Sequence, residues 1–242
     1  MCQLIIVRCT SIRRSRHFAD YHEKEYRMKK LAVFFPGIGY TNDKPLMYYA
    51  RKLALEEGYE ILPADYTGFP EKVRADRERM KESIRIADLK SREILQRVDL
   101  SACESLLFVS KSIGTVVSAR LASEAKASGR IRQVLYTPLE EAFSFPIKDA
   151  IVFTGSADPW TGKEQSRIPM LCRERKIPCT VISGANHSLE CGDAMEDIRN
   201  LYSVMQATAN YITYTAGDQK PRIPDPGPEN ADILRPGIAQ DR

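Results

Sequence analysis

Leu106-Leu107-Phe108-Val109-Ser110-Lys111-Ser112-Ile113-Gly114-Thr115-Val116-Val117-Ser118 passes from a continuous apolar segment, through a turn of small residues, into a helical pattern. A buried strand that runs straight into a helix is the building unit of a parallel sheet, because parallel neighbours must be joined by a crossover. Working outward, the same alternation repeats. Strands are predicted at Leu31 to Phe35, Tyr59 to Ala64, Ser105 to Val109, Ile131 to Tyr136, Ala150 to Thr154 and Thr180 to Ser183. Helical patterns lie near Pro45 to Glu57, Glu71 to Arg97, Ile113 to Ser128, Gly162 to Arg175 and Asp193 to Tyr214. The expected fold class is α/β: a three-layer α/β/α sandwich on a mostly parallel sheet of about six strands, with active groups at the carboxyl ends of the strands.

Three of those strand ends carry reactive side chains. In the opening stretch, small residues stand two before and two after Ser112, as a strained nucleophile elbow requires where bulky flanks would clash with the adjoining strand and helix. The usual pattern is GxSxG, and Ser110 departs from it, adding a hydroxyl and some strain. A second strand ends in Thr154-Gly155-Ser156-Ala157-Asp158-Pro159-Trp160, which presents Asp158 in a turn that also suits an ordinary cap. The third ends in Ser183-Gly184-Ala185-Asn186-His187. The other histidines, His17 and His22, both precede the first strand, so His187 is the candidate imidazole base. Ser112, Asp158 and His187 thus occur in the chain order of a Ser-Asp-His triad, each just after a predicted parallel strand.

A fourth strand end, Pro36-Gly37-Ile38-Gly39-Tyr40, is glycine-rich and precedes a helix. Acyl transfer builds negative charge on a carbonyl oxygen, so fixed N–H donors are needed there. The backbone of Ile113, next to the elbow serine, supplies one, and that of Ile38 the other, with Gly37 and Gly39 letting the chain approach substrate. Tyr40 and Trp160 flank this position as candidate pocket-lining residues, although a core-packing role suits Trp160 equally. Lys111 is expected to point to solvent, where a contact with a substrate carboxylate is open to it. Glu140 and Glu141 follow an earlier strand and are a second source of the acid, or supply charge at a helix N-terminus. Cys191 is expected to be structural.

On FFPGIGY at 34 to 40, SKSIGT at 110 to 115, TGSADPW at 154 to 160 and ANHSLE at 185 to 190, the chain resembles the α/β-hydrolase superfamily, and within it the small, lid-poor members like dienelactone hydrolase. The resemblance spans about residues 28 to 213. It implies Ser112 as nucleophile, His187 as base and Asp158 as its orienting acid. Departures are Pro36, where many members carry His, Ser110 at the first elbow glycine, and serine where dienelactone hydrolases use cysteine. Such sheets usually have eight strands, so the first two are missing here. The short run from Thr137 to Asp149 leaves no room for a cap domain, which makes the expected site open and suited to small or flexible esters.

Of the +4 net charge, most resides in residues 1 to 27, where six basic residues face three acidic ones. That segment lacks a sustained period. It reads either as an Arg-rich, acid-poor presequence over its first 18 residues, or as translated leader before a start at Met28, since Lys24-Glu25 can be encoded by a bacterial ribosome-binding sequence. Residues 215 to 242 carry five prolines and no apolar period, so they read as a flexible tail, leaving a domain at about 28 to 214. The nearly neutral remainder carries no basic stripe with interleaved aromatics, which argues against nucleic acid as a partner. No run reaches the roughly 18 apolar residues of a membrane helix. The six cysteines form no CxxC pair, so neither a zinc site nor a disulfide scaffold is expected. The chain therefore reads as a cytoplasmic enzyme for a small acyl substrate, without metal or cofactor. A non-catalytic interaction module and an acyltransferase on the same triad are the competing readings.

Overall fold

The computed structural model describes residues 29–74, 76–161 and 166–213. The leader read at 1 to 27 and the tail read at 215 to 242 lie outside the described residues. Six strands form one sheet: β1 (Lys29–Phe35), β2 (Glu60–Pro63), β3 (Cys103–Lys111), β4 (Ile131–Tyr136), β5 (Ala150–Gly155) and β6 (Cys179–Ile182). Their spatial order is β2-β1-β3-β4-β5-β6, and every pairing is parallel. The helices are α1 (Pro45–Glu56), α2 (Arg77–Leu95), α3 (Ile113–Glu124), α4 (Ile168–Glu174) and α5 (Ala194–Thr213). None among the described residues is long and apolar enough to cross a membrane.

Alternation along the central strands divides the core into two layers. Leu31, Val33, Phe35, Leu106 and Phe108 pack with Ala87 of α2, Val116 and Ala119 of α3 and Ile168 of α4. Ala32, Phe34, Leu107 and Val109 face the other way, onto Met47 and Ala50 of α1 and Val204 and Tyr211 of α5. A strand buried on both faces needs apolar residues at successive positions, which is why β1 and β3 read as unbroken apolar runs. Phe35 and Phe108 meet with ring centroids 5.1 Å apart, a contact that removes two large apolar surfaces from water.

The helix starts follow local chemistry. Pro45 opens α1 with a preset φ. Asp76 caps α2 by accepting from the N–H groups of Glu78 and Arg79, so this helix begins at Arg77 and not at Glu71 as the sequence pattern predicts. The residues before it, including Gly68 and Pro70, form a long loop after β2 instead. Similarly, α4 begins at Ile168, with Pro169 in its first turn, later than the expected Gly162. Between β4 and β5 there is one short helical turn, Glu140–Ser144, and no cap domain.

Candidate active site

β3 and β5 flank β4, and β6 lies next to β5, so the loops leaving the carboxyl ends of β3, β5 and β6 converge on one edge of the sheet. Ser112 sits between β3 and α3 at φ 54 and ψ −124, a conformation that side chains rarely adopt. The turn survives because its surroundings over-determine it. Ser112 N–H donates to the Tyr136 carbonyl at 3.1 Å, and Thr115 N–H donates to the Ser112 carbonyl at 2.9 Å. A Cβ on Gly114 would lie 2.1 Å from the Phe35 carbonyl oxygen, so only glycine allows α3 to start this close to the end of β1. Ser110, the departure from GxSxG, is fully buried and its hydroxyl is accommodated: Ser118 Oγ lies 2.9 Å away and the Val134 carbonyl oxygen 3.4 Å.

The acid and the base are brought together by a backbone seam. Gly155 closes β5 so tightly against the histidine loop that a Cβ there would lie 2.1 Å from the Ala185 carbonyl oxygen. Just beyond it, Ser156 N–H donates to Ile182 O at 2.9 Å, Ala157 N–H donates to Ala185 O at 3.0 Å, and Gly184 N–H donates to Ser156 Oγ at 2.8 Å. The histidine loop is itself folded over Asn186, whose Oδ1 accepts from Ser188 N–H and Glu190 N–H. The outcome is a continuous chain: His187 Nε2 lies 2.8 Å from Ser112 Oγ, and His187 Nδ1 lies 2.7 Å from Asp158 Oδ2. Asp158 Oδ1 also accepts from Trp160 N–H at 2.9 Å. All three residues predicted from separate strand ends meet.

Burial dominates the electrostatics. It holds the His187 imidazole below its ordinary pKa, against the Asp158 hydrogen bond, and the positive charges of Lys111 and Arg74 push the same way. A neutral imidazole is the form that can accept a proton.

Ile113 opens α3, so its N–H is one of those that have no acceptor within a helix. The glycine-rich loop lies beside it, where a Cβ on Gly37 would come within 3.1 Å of Ser112 Cβ. Gly37 and Tyr40 exchange backbone hydrogen bonds of 3.1 and 3.4 Å, which turns the loop through Ile38 and Gly39. The two glycines differ in purpose: Gly37 allows close approach, whereas Gly39 has open space around it and supplies φ +66 for the turn.

Two expectations need correction. Lys111 does not point to solvent. It is 2% exposed, with its ammonium 4.6 Å from the centroid of the Tyr40 ring. Tyr40 is likewise buried rather than a pocket wall, and its hydroxyl accepts from Leu46 N–H at 3.1 Å. Burial pushes that phenol up to about 12, so it stays protonated. Trp160 packs against the core and also stacks on the His187 ring, with centroids 5.1 Å apart and the planes at 25°. Glu140 pairs with Arg167 at 3.3 Å and, with Glu141, occupies the first turn of the Glu140–Ser144 segment. Cys191 contacts the Ser183 carbonyl and Asn200, away from the elbow. Among the described residues no three His, Cys, Asp or Glu side chains gather as a metal-ligand set.

No protein-family model and no curated protein matches the sequence. The fold is similar to that of Est1E from Butyrivibrio proteoclasticus with ferulic acid bound, at a TM-score of 0.53 and 12% identity, over 78% of this chain and 90% of that one. It is also similar to a hydrolase candidate from Agrobacterium vitis S4, at 0.52 and 14% identity, over 75% and 88% of the two chains.

The chain has the α/β-hydrolase fold.

Within that fold this is a minimal version, with six parallel strands, two of them (β1 and β3) delivering the glycine-rich loop and the elbow. The α/β-hydrolase sheet places both at the same level, since Phe35 is in register with Ser110. Arg74, on the loop between β2 and α2, brings a positive charge to bear on His187. Sequence reading missed it by assigning that segment to helix. The burial of Lys111 was open to prediction: Leu107, Val109 and Lys111 alternate onto one face once β3 is extended to its observed end.

Proposed function

We propose that the protein is a serine hydrolase that cleaves a small ester or thioester through an acyl-enzyme on Ser112, with His187 as base and Asp158 as its orienting acid. One observation carries this reading: the unbroken chain from Ser112 Oγ through both ring nitrogens of His187 to Asp158, with contacts of 2.8 and 2.7 Å. Ser112 Oγ attacks the substrate carbonyl carbon as its proton passes to His187 Nε2. The Nδ1–H donates to Asp158, which fixes the tautomer and stabilises the imidazolium. Charge developing on the carbonyl oxygen is met by the N–H groups of Ile113 and Ile38; a donor so placed is worth about 3 to 4 kcal/mol. His187 returns the proton to the leaving alcohol or thiol. Water then attacks the acyl group, with the same nitrogen as base.

Substrate size follows from the missing cap. With only the Glu140–Ser144 turn between β4 and β5 and Trp160 stacked on His187, this reading favours short or flexible acyl groups over buried lipid chains. We place this activity in the cytoplasm, acting on a small molecule. The test is hydrolysis of p-nitrophenyl acetate together with labelling by a fluorophosphonate probe, for wild type and Ser112→Ala. The variant is expected to lose labelling and at least about a thousandfold in kcat/KM. Equal rates in the two proteins defeat the reading. Labelling without hydrolysis would point to transfer onto an acceptor other than water.

A further inference from the structure

The peptide unit that joins Ser112 to Ile113 carries two groups of the site at once: its carbonyl belongs to the elbow serine, and its N–H is the oxyanion donor at Ile113. A peptide unit is planar, so whatever fixes the direction of the carbonyl also fixes the N–H on its opposite side. Thr115 holds that carbonyl twice. Its backbone N–H donates to Ser112 O at 2.9 Å, and its hydroxyl donates to the same oxygen at 2.6 Å. Any residue other than proline could make the first bond, but the second needs a hydroxyl. The hydroxyl proton has one direction to take. Thr115 is fully buried, and Leu139 N–H donates to Thr115 Oγ1 at 3.3 Å, which occupies the accepting side of that oxygen.

Leu139 returns to α3 because the chain turns sharply on leaving β4. Thr137 has φ +41, which a β-branched residue rarely adopts. Its N–H donates to Phe153 O at 2.7 Å, and the Tyr136 carbonyl just before it accepts from Ser112 N–H at 3.1 Å. The short segment from Tyr136 to Leu139 therefore engages both backbone groups of Ser112, the N–H directly and the carbonyl through Thr115. A strained backbone of this kind persists only where its surroundings over-determine it, and here the surroundings include the elbow. Hydrogen bonds in series also polarise one another. Leu139 N–H, the Thr115 hydroxyl and the Ser112–Ile113 peptide form such a series, and its far end is the Ile113 N–H, which opens α3 without an acceptor inside the helix.

We propose that Thr115 is a positioning residue for the oxyanion: its hydroxyl, held by Leu139 N–H, orients and polarises the Ser112–Ile113 peptide, so that the Ile113 N–H is aimed and strengthened where charge develops on the substrate carbonyl oxygen. The proposal rests on the serine-hydrolase reading and adds to it a residue that acts through Ile113 from behind the elbow. It carries its own signature. A better-aimed donor matters most when the oxygen bears a full negative charge, so the effect falls on the transition state and spares ground-state binding.

The experiment compares wild type with Thr115→Val, which exchanges the hydroxyl for a methyl group of equal size, and with Thr115→Ser, which keeps the hydroxyl. Thermal unfolding checks that each is folded at the assay temperature, and Thr115→Ala takes the place of the valine variant if that one is not. In Thr115→Val, kcat/KM for p-nitrophenyl acetate is expected to fall about tenfold, and Thr115→Ser recovers most of the loss. Two inhibitors separate transition-state from ground-state effects. A short alkyl trifluoromethyl ketone accepts Ser112 Oγ at its carbonyl carbon while the hydroxyl proton passes to His187, which leaves an oxyanion against the Ile113 N–H. The corresponding carbinol has the same shape and forms no adduct. The Ki of the ketone should rise by the factor that kcat/KM falls, whereas the Ki of the carbinol stays at its wild-type value. Equal shifts for the two inhibitors, or a loss confined to the melting temperature, overturn the proposal and leave Thr115 as a packing residue. Failure of the wild type to label with fluorophosphonate overturns the hydrolase reading itself, a result distinct from any difference between the variants.

Discussion

Gly155→Ala is the sharpest test of how the base is held. The new Cβ would sit 2.1 Å from the Ala185 carbonyl oxygen and 2.7 Å from both the Ala185 carbonyl carbon and the Asn186 oxygen. All three are backbone atoms, so no side chain can swing aside. Restoring ordinary contact needs roughly 1 Å of separation between the end of β5 and the histidine loop. That movement stretches the Ala157 N–H to Ala185 O bond, now 3.0 Å, and carries His187 away from Ser112 Oγ, now 2.8 Å off. A displacement of this size costs about a hundredfold in kcat/KM, and the overpacking about 1 to 3 kcal/mol of stability. The assay is the second-order rate of fluorophosphonate labelling, paired with thermal unfolding. Gly129→Ala is the control, because nothing lies within 4 Å of a Cβ there and it is remote from the site. Wild-type labelling and melting temperature in Gly155→Ala would refute the argument that this glycine sets the distance between acid, base and nucleophile.

Two further substitutions probe the supports of the site. Ser118→Ala leaves the buried Ser110 hydroxyl with only the 3.4 Å contact to the Val134 carbonyl, and should cost about 1 to 2 kcal/mol in urea unfolding. The double variant Ser110→Ala/Ser118→Ala should recover part of that loss, since no orphan hydroxyl remains; a double variant less stable than the single would refute the pairing. Trp160→Ala removes the ring stacked 5.1 Å from His187 and should lower kcat/KM about three- to tenfold, with Trp160→Phe retaining most of the activity. Unchanged kinetics in the alanine variant would reduce Trp160 to a core residue.

Local patterns made much of this site legible. Ser112, Asp158 and His187 are each announced by an apolar run ending in small or turn-forming residues, and their order follows from the chain. The glycines at 37, 114 and 155 stand where two backbones touch, so their spacing carries information about contacts between elements. Where local reading failed, a few residues at an element boundary were responsible. Ending β3 at Val109 sent Lys111 outward, whereas the strand continues through Lys111 and turns that side chain onto the Leu107 and Val109 face. Starting α2 at Glu71 placed Arg74 in a helix, whereas the Asp76 cap starts α2 at Arg77 and leaves Arg74 on the loop after β2.

The amino-acid sequence by itself determined the alternation of buried strands and helices, the strained serine turn and the chain order of the three reactive residues. These depend on periodicity and turn chemistry within a dozen residues. The tertiary structure alone decided the strand order β2-β1-β3-β4-β5-β6, the 2.8 and 2.7 Å contacts and the inward turn of Lys111. Those depend on which strands become neighbours across long loops. A charge acquires its influence on His187 only when packing excludes the water that would otherwise screen it.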